Sequence, residues 1–297
     1  MLLQARSFPV YRPGWATAGC CPAPAPVKLP TRPDRLESSP VPAGFKSVDV
    51  GQGALAYQSP FELRDRLVAA GVELTGLRHG ESEANAAANA GKPVLIGQSE
   101  TPLTATGRQQ ARAAAEQLLQ QFGGDPWLLQ AMEKPELLPV VYASPLSRAS
   151  DTAAAFANLV RERSQALGQG LELPIRKDSR LLEFSFGSYE GKPGSKLMRE
   201  HPVFASNWDG HRGAGVDFQH RFPEGESRLD VMARVSSILK EVAEEHAGRR
   251  VLLVCHQETL VGVRTVLGLS KQRDGRIRAD SGEIQNATPI PLVSRRS

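Results

Sequence analysis

Three short apolar runs, each leading into a polar helix start, constrain the fold of this chain more than any other feature. The runs are VELTGL at 72–77, PVVYA at 139–143 and RVLLVC at 250–255. Each has the length of a buried strand, and a segment with helical periodicity follows it. Strands that alternate with helices are typical of a three-layer α/β/α fold. We therefore predict a single α/β domain with a largely parallel central sheet flanked by helices.

Helices are predicted where apolar residues recur at helical spacing. These segments are 59–71, 104–122, 144–167, 227–247 and 257–269. In the third of them, Ser144 and Pro145 stand where an N-cap and a first-turn proline belong. The Gly- and Pro-rich segment 123–139 is predicted to be an irregular connection. Segments 171–177 and 287–293 are predicted strands, the second at a sheet edge because prolines are tolerated there.

Residues 1–45 differ in composition from the rest of the chain. They are rich in Pro and Ala, and four basic residues precede the first acidic residue, Asp34. This composition predicts a disordered tail, with an organellar transit segment as the alternative. The predicted folded domain covers 55–297. It includes a polar, aromatic and Gly-rich segment at about 188–222, which we predict to be a lid or binding loop.

The composition argues against several functional classes. The formal net charge is +4 and the basic residues are dispersed, so we expect no nucleic-acid partner. No apolar stretch reaches the roughly 18 residues that span a bilayer, so we expect no membrane partner. Cys20, Cys21 and Cys255 form neither a disulfide framework nor a spaced metal quartet. We expect a cytoplasmic protein, or an organellar one if the tail is a transit segment, and the oligomeric state stays open.

Polar and cationic residues follow the three predicted buried strands. Arg78 and His79 end the first strand, Arg148 lies in the helix start after the second, and His256 follows the third. In open α/β sheets, ligands bind at the carboxyl ends of the strands, so these side chains are expected to converge. Two guanidiniums and a helix N-terminus suit a phosphoryl group. Among these cations the pKa of His79 should fall, leaving a neutral imidazole that can act as a nucleophile.

Six sequence blocks together resemble the histidine phosphatase superfamily, the phosphoglycerate-mutase-like proteins. In chain order, from about 71 to 293, they are LRHGESEAN, ETPLTATGRQQA, SPLSRASDTA, LLEFSFGSYEG, FPEGES and VLLVCHQETL. The resemblance implies that His79 takes up the phosphoryl group as phosphohistidine. It also implies that Arg78, Arg148 and His256 hold the phosphoryl oxygens.

The same resemblance assigns the remaining site residues. Glu183 matches the general acid that protonates the leaving oxygen and then activates water, and Asn85 matches a residue that lines the phosphate pocket. The resemblance implies no metal and no organic cofactor. The predicted activity is therefore hydrolysis of a small phosphorylated substrate by a histidine phosphatase.

Two departures from the family pattern leave alternatives open. Gln257 stands where the family usually has glycine; its N–H could still donate to the phosphate, and its side chain could crowd the site or reach the substrate. Gln257 is therefore included among the predicted substrate-binding residues, and it is also the best support for a non-catalytic phospho-ligand binding module. Mutases of the family have an arginine directly after the acid, where this chain has Phe184. Phosphatase activity is favoured, with phosphoglycerate mutase-type phosphoryl transfer as the alternative.

Several nearby polar and aromatic residues are given structural interpretations. Glu81 and Ser82 are predicted to support the loop or cap the next helix, and neither is assigned a catalytic role. The histidines of the predicted lid are irregularly spaced and do not indicate a metal site. The lid aromatics are predicted either to contact an apolar part of the substrate or to pack the lid on the domain. These lid residues are His201, His211 and His220, with Trp208, Phe218 and Phe222.

Overall fold

The computed structural model describes most of the predicted domain. The described residues are 46–49, 55–58, 61–200, 219–269, 272–273, 276–277 and 284–294. The predicted tail at 1–45 lies outside them, as do residues 201–218 of the predicted lid. The predictions for His201, His211, Trp208 and Phe218 therefore fall outside the described residues.

A five-stranded sheet forms the centre of the described domain, in the order β5-β4-β6-β3-β9. Strands β5, β4, β6 and β3 run parallel, and β9 pairs antiparallel with β3 at the edge. The predicted largely parallel sheet and its proline-containing edge strand are confirmed. In chain order the strands are β1 Lys46–Asp49, β2 Leu55–Gln58, β3 Glu73–Arg78, β4 Val140–Ala143, β5 Ile175–Lys177, β6 Arg250–Cys255, β7 Gln272–Arg273, β8 Arg276–Ile277 and β9 Pro289–Val293.

Helices lie on both faces of the sheet, as predicted. They are α1 Phe61–Ala69, α2 Glu83–Asn89, α3 Ala105–Phe122, α4 Gly124–Glu133, α5 Ser147–Ala166, α6 Gly194–Glu200, α7 Arg228–Glu245 and α8 Gln257–Val266. Short 3₁₀ turns occur at Pro135–Leu137, Ser179–Leu181 and Gly187–Tyr189. None of the described helices is long and apolar enough to cross a membrane.

Strand β6 separates the two hydrophobic cores of the domain. Its side chains alternate between the faces of the sheet, as the pleat requires. Leu253 joins the cluster formed with α7 and α8, whereas Leu252 and Val254 join the cluster formed with α3 and α5. Burial on both faces explains the uninterrupted apolar run of this strand.

The structure corrects the prediction that 123–139 is an irregular connection. Helix α4 occupies most of it, and its Trp127 and Leu128 are buried in the core that α3 and α5 form. Pro126 lies in the first turn of α4, where a backbone N–H has no partner within the helix, so the proline does not break the helix. The prediction was wrong because the Gly and Pro residues mark the start of a helix.

The structure also corrects the predicted start of α5. The N-cap position is Leu146, which makes no side-chain capping bond, and the helix begins three residues after Ser144. The capping group comes from another segment, since the Glu100 carboxylate accepts bonds from the Ser147 N–H at 3.1 Å and the Ser147 hydroxyl at 2.6 Å. An anionic group at a helix N-terminus is favoured by the helix dipole.

Two glycines bring α3 against the loop that follows β3. A Cβ atom on Gly107 would overlap the carbonyl oxygen of Glu81, and one on Gly80 would overlap the carbonyl oxygen of Gly107. Both obstacles are backbone atoms, which cannot move aside as a flexible side chain would. The first residues of α3 therefore fix the position of the loop that carries Gly80.

We expect Gly107→Ala to destabilise the fold by about 1–3 kcal/mol, because overpacking forces backbone shifts. The sign of the change in unfolding free energy is diagnostic, since replacing Gly by Ala inside a helix otherwise stabilises the protein by roughly 0.5–1 kcal/mol. Urea denaturation measures the change in the free energy of unfolding. The control is Gly194→Ala in α6, where an added Cβ meets nothing within 4 Å. Equal stability of Gly107→Ala and the wild type would contradict the close contact.

Candidate active site

Parallel pairing brings the predicted site residues to one edge of the sheet. Strand β6 lies between β4 and β3, and Arg78 is in register with Cys255. The His79 N–H donates to the Cys255 carbonyl at 3.0 Å, which continues the ladder by one residue. The rings of His79 and His256 then meet edge to face, with centroids 5.1 Å apart. The expected convergence of two imidazoles is present in the structure.

The ring of His79 is oriented by the backbone that follows it. Its Nδ1 lies 2.7 Å from the Gly80 carbonyl oxygen. Since a carbonyl can only accept, Nδ1 carries the proton and Nε2 keeps its lone pair. Burial lowers the pKa of His79 well below its usual value, and the charges of Arg148 and Arg78 lower it further. The side chain is thus a neutral imidazole with a nucleophilic Nε2.

Arg148 is a buried cation at the centre of the site. Its Nη1 donates to the Ser99 carbonyl at 2.9 Å, its Nη2 to the Gly97 carbonyl at 2.6 Å, and its Nε to Nδ1 of His256 at 3.2 Å. Burial lowers its pKa, whereas the carboxylates of Glu183, Glu100 and Glu190 oppose that shift. A fixed guanidinium of this kind suits an oxyanion.

The contact with Arg148 also determines which ring nitrogen of His256 carries the proton. Because Arg148 donates to Nδ1, the proton of the neutral ring lies on Nε2, which is 2.8 Å from the Ser144 hydroxyl oxygen. Burial is the largest cause of the strongly lowered pKa of His256, followed by the charge of Arg148. Ser144, which the sequence analysis treated as a helix cap, is therefore a hydrogen-bond partner of the second histidine.

Arg78 and His79 are held by residues 284–288, a segment we call the clamp. Arg78 donates through Nη1 to the Ile284 carbonyl at 2.7 Å, and its own carbonyl accepts the Ala287 N–H at 3.0 Å. The side-chain amide of Asn286 donates to the His79 carbonyl at 2.8 Å. Sequence reasoning missed Asn286. The only signal was a polar residue directly before the predicted edge strand.

Asn85 lies at the start of α2 and links that helix to the clamp. Its Oδ1 accepts the Ser82 N–H at 3.2 Å in a capping box, and it also accepts from the amide of Asn286 at 3.3 Å. Ser82 is the N-cap of α2, and Glu81 accepts a bond from the Thr104 hydroxyl at 2.8 Å. The structural interpretations of Glu81 and Ser82 agree with these contacts.

Glu183 is buried at the N-terminus of α8. Its Oε1 accepts N–H bonds from Phe184 at 2.9 Å and Thr259 at 3.2 Å, and its Oε2 accepts from Glu258 at 3.3 Å. Burial is the main cause of a raised pKa, and the charge of Glu258 adds to it. The N–H bonds and the charge of Arg148 act in the opposite direction. The net result is a carboxyl group that protonates more readily than an ordinary glutamate.

Glu190 organises the loop that holds Arg148, and sequence reasoning missed it. Its carboxylate accepts the N–H groups of Gly97 and Gln98, each at 3.0 Å, and the hydroxyl of Ser99 at 2.9 Å. The carbonyls of Gly97 and Ser99 are the acceptors for Arg148. The side chain of Gln98 also donates to the Glu183 carbonyl at 3.0 Å, so one loop contacts both the cation and the candidate acid.

Gln257 directs its side-chain oxygen toward the clamp. That Oε1 accepts the Ile284 N–H at 3.1 Å. Its predicted contact with the substrate stays a prediction. The described residues also contain no group of three or more His, Cys, Asp and Glu side chains that could hold a metal ion.

The sequence is similar to that of named enzymes over most of its length. The profile of the histidine phosphatase superfamily (branch 1) matches residues 74–288. "Putative phosphoserine phosphatase 2" of Hydrogenobacter thermophilus is 28% identical over 209 residues, covering 70% of this chain and 85% of its own length. "Probable phosphoglycerate mutase GpmB" of Escherichia coli is 32% identical over 203 residues, covering 68% of this chain and 78% of its own length.

Solved structures agree with this assignment. Mycobacterial glucosyl-3-phosphoglycerate phosphatase in complex with VO3 matches with a TM-score of 0.52 and 27% identity, over 73% of this chain and 90% of that one. "Mycobacterial hydrolase 1" matches with a TM-score of 0.52 and 26% identity, over 73% and 89%. The profile match, the relatives and the fold agree: this chain belongs to the histidine phosphatase superfamily, branch 1.

Proposed function

We propose that this protein is a phosphomonoester hydrolase that acts on a small phosphorylated metabolite through a phosphohistidine at His79. The observation that carries the proposal is a neutral imidazole, with Nδ1–H fixed on a carbonyl, whose pKa is lowered by burial and by the charges of two buried guanidiniums, Arg148 and Arg78. The names of similar proteins, phosphoserine phosphatase and glucosyl-3-phosphoglycerate phosphatase, support a small phosphorylated metabolite as substrate.

The first chemical step transfers the phosphoryl group to His79. Nε2 attacks phosphorus, the P–N bond forms as the P–O bond to the leaving group breaks, and the leaving oxygen takes a proton from Glu183. Arg78 and Arg148 hold the phosphoryl oxygens, and His256 lies beside them. Electrostatic stabilisation by fixed donors costs little reorganisation during the reaction.

The second step returns the enzyme to its starting state. Glu183, now a carboxylate, takes a proton from water as the water oxygen attacks phosphorus. The P–N bond breaks, inorganic phosphate leaves, and His79 is neutral again. A raised pKa allows Glu183 to carry the proton for the first step and return to the protonated form after the second.

The residue after the acid favours hydrolysis over mutase-type transfer. Phe184 is buried, and its ring packs edge to face on Phe186 and Phe222 at centroid distances of 5.3 and 5.7 Å. Phe222, from the predicted lid, therefore packs on the domain. An apolar cluster thus occupies the position where mutases carry a cation for the substrate carboxylate.

A binding module without catalysis is the remaining alternative. Such a module needs an anion pocket but has no use for both a neutral nucleophile and a buried, readily protonated carboxyl group. We propose, further, that catalysis needs no metal ion and that the protein acts in the cytoplasm, or in an organelle if residues 1–45 are a transit segment. A small phosphorylated substrate, without a nucleic-acid or membrane partner, stays the expected partner class.

His79→Ala is expected to abolish hydrolysis of an aryl phosphate, because the lone pair of the neighbouring His256, on Nδ1, is bonded to Arg148 and does not replace the lost nucleophile. Rapid quenching of the wild type should trap acid-labile phosphate on His79, and none should form on the variant. The control is His246→Gln, since His246 precedes β6 and lies at the opposite end of that strand. Turnover that persists in His79→Ala would overturn the nucleophile assignment. Transfer of phosphate to 3-phosphoglycerate in preference to water would support the mutase.

Glu183→Gln is expected to change the pH dependence of kcat/KM for an alkyl phosphate. The acid must be protonated, so in the wild type kcat/KM falls as pH rises through the raised pKa of Glu183. The variant should lose this alkaline limb and about 10²–10⁴-fold in rate. With an aryl phosphate, whose leaving group needs no proton, the loss should be smaller. Equal losses for both substrates would contradict the general-acid role.

Chelation is expected to leave activity unchanged. Cationic side chains and an imidazole nucleophile supply the roles that a metal ion plays in metallophosphatases, namely charge neutralisation and a nucleophile at neutral pH. The measurement is aryl phosphate hydrolysis before and after dialysis against EDTA, with added Mg²⁺, Mn²⁺ or Zn²⁺ as separate arms. Loss of activity on dialysis that one of these ions restores would refute metal independence.

A further inference from the structure

Gln257 is the clearest departure of this chain from its family, and its contact in the structure suggests a role. The residue directly follows the second histidine and is the first residue of helix α8. Its Oε1 accepts the Ile284 N–H at 3.1 Å, and the Ile284 carbonyl accepts Nη1 of Arg78 at 2.7 Å. One residue of the clamp is thus bonded on one side to Gln257 and on the other to a phosphate-binding guanidinium.

We call the two hydrogen bonds that join Gln257, Ile284 and Arg78 the relay. Burial makes the relay sensitive to the loss of the Gln257 oxygen that accepts the Ile284 N–H. Ile284 packs in the core with the side chains of α7 and α8, and Arg78 is buried. Without Gln257 the Ile284 N–H would lose its acceptor in the core, which favours movement of the clamp toward water. The Ile284 carbonyl would move with it, and the Arg78 guanidinium would lose the bond that this carbonyl accepts.

We propose that Gln257 is a positioning residue for Arg78, acting through Ile284 and not through contact with the phosphate. The inference rests on the proposed function of the site, because the anion that Arg78 meets there is the phosphoryl group. A side chain that crowded the pocket would weaken phosphate binding, whereas the positioning role strengthens it. These two roles predict opposite effects when the whole side chain is removed, as in Gln257→Gly.

The test is a double-mutant cycle on binding of inorganic phosphate, measured by titration calorimetry. Gln257→Met keeps the length of the side chain and removes its strong acceptor. We expect phosphate affinity to fall about threefold to tenfold, the range of one hydrogen bond. In an Arg78→Lys background the same change should have little further effect, because contacting residues that act as a unit are not additive.

Controls separate positioning from general damage. Gln165→Met, on the exposed end of α5, should bind phosphate like the wild type, and thermal unfolding checks that each variant is folded. Gln257→Gly installs the usual residue of the family. It serves as a second test variant if methionine disturbs the fold. Its affinity should fall in the same direction.

Three results would overturn the proposal. Unchanged affinity in Gln257→Met would show that the relay has no influence on the pocket, and tighter binding in Gln257→Gly would show relief of crowding. A full multiplicative effect in the Arg78→Lys background would show that Gln257 acts without Arg78. Phosphate binding can be measured without turnover. Absence of hydrolysis by the wild type would therefore reject the proposed function, while the double-mutant cycle would still test the role of Gln257.

Discussion

Placing the guanidinium of Arg148 inside the protein is the constraint on which the rest of the site depends. A buried cation is costly unless its N–H groups are bonded and opposite charges lie nearby. Two backbone carbonyls and the Nδ1 of His256 accept its N–H groups, and three glutamates surround it. Each of these partners is in turn fixed by another element, so the cation accounts for much of the local structure.

The same cation determines what both histidines can do. Its charge adds to burial in lowering the pKa of His79 and His256, so both rings stay neutral. The three bonds of Arg148 that the structure shows go to uncharged acceptors, two carbonyls and one imidazole. None of these three bonds is to a carboxylate, so the charge of the guanidinium can act on an anion beside a nucleophile that bears a lone pair. A binding site needs the first property alone, and a phosphoryl-transfer site needs both.

Patterns along the chain predicted the parts of the site that depend on local order. The apolar runs placed His79 and His256 at strand ends, and parallel topology places strand ends together. Contacts between distant segments could not be read in this way. Glu190 binds Gly97 across 93 residues, and Gln257 binds Ile284 across 27. Ser144 was misassigned for the same reason, since its hydroxyl is close to His256 only after the strands pair.

In the proposed reaction, Phe184 and Gln257, two departures from the family pattern, affect different functions. A cation at the position of Phe184 would favour the ionised form of Glu183, since opposite charge stabilises a carboxylate. A buried phenyl ring leaves burial as the main influence on this carboxyl group, so it can hold the proton that an alkoxide leaving group requires. Gln257 is bonded instead to Ile284, whose carbonyl accepts from Arg78. In the proposed reaction, one position thus influences the supply of the proton and the other the binding of phosphate, while His79, Arg78 and Arg148 match the family pattern.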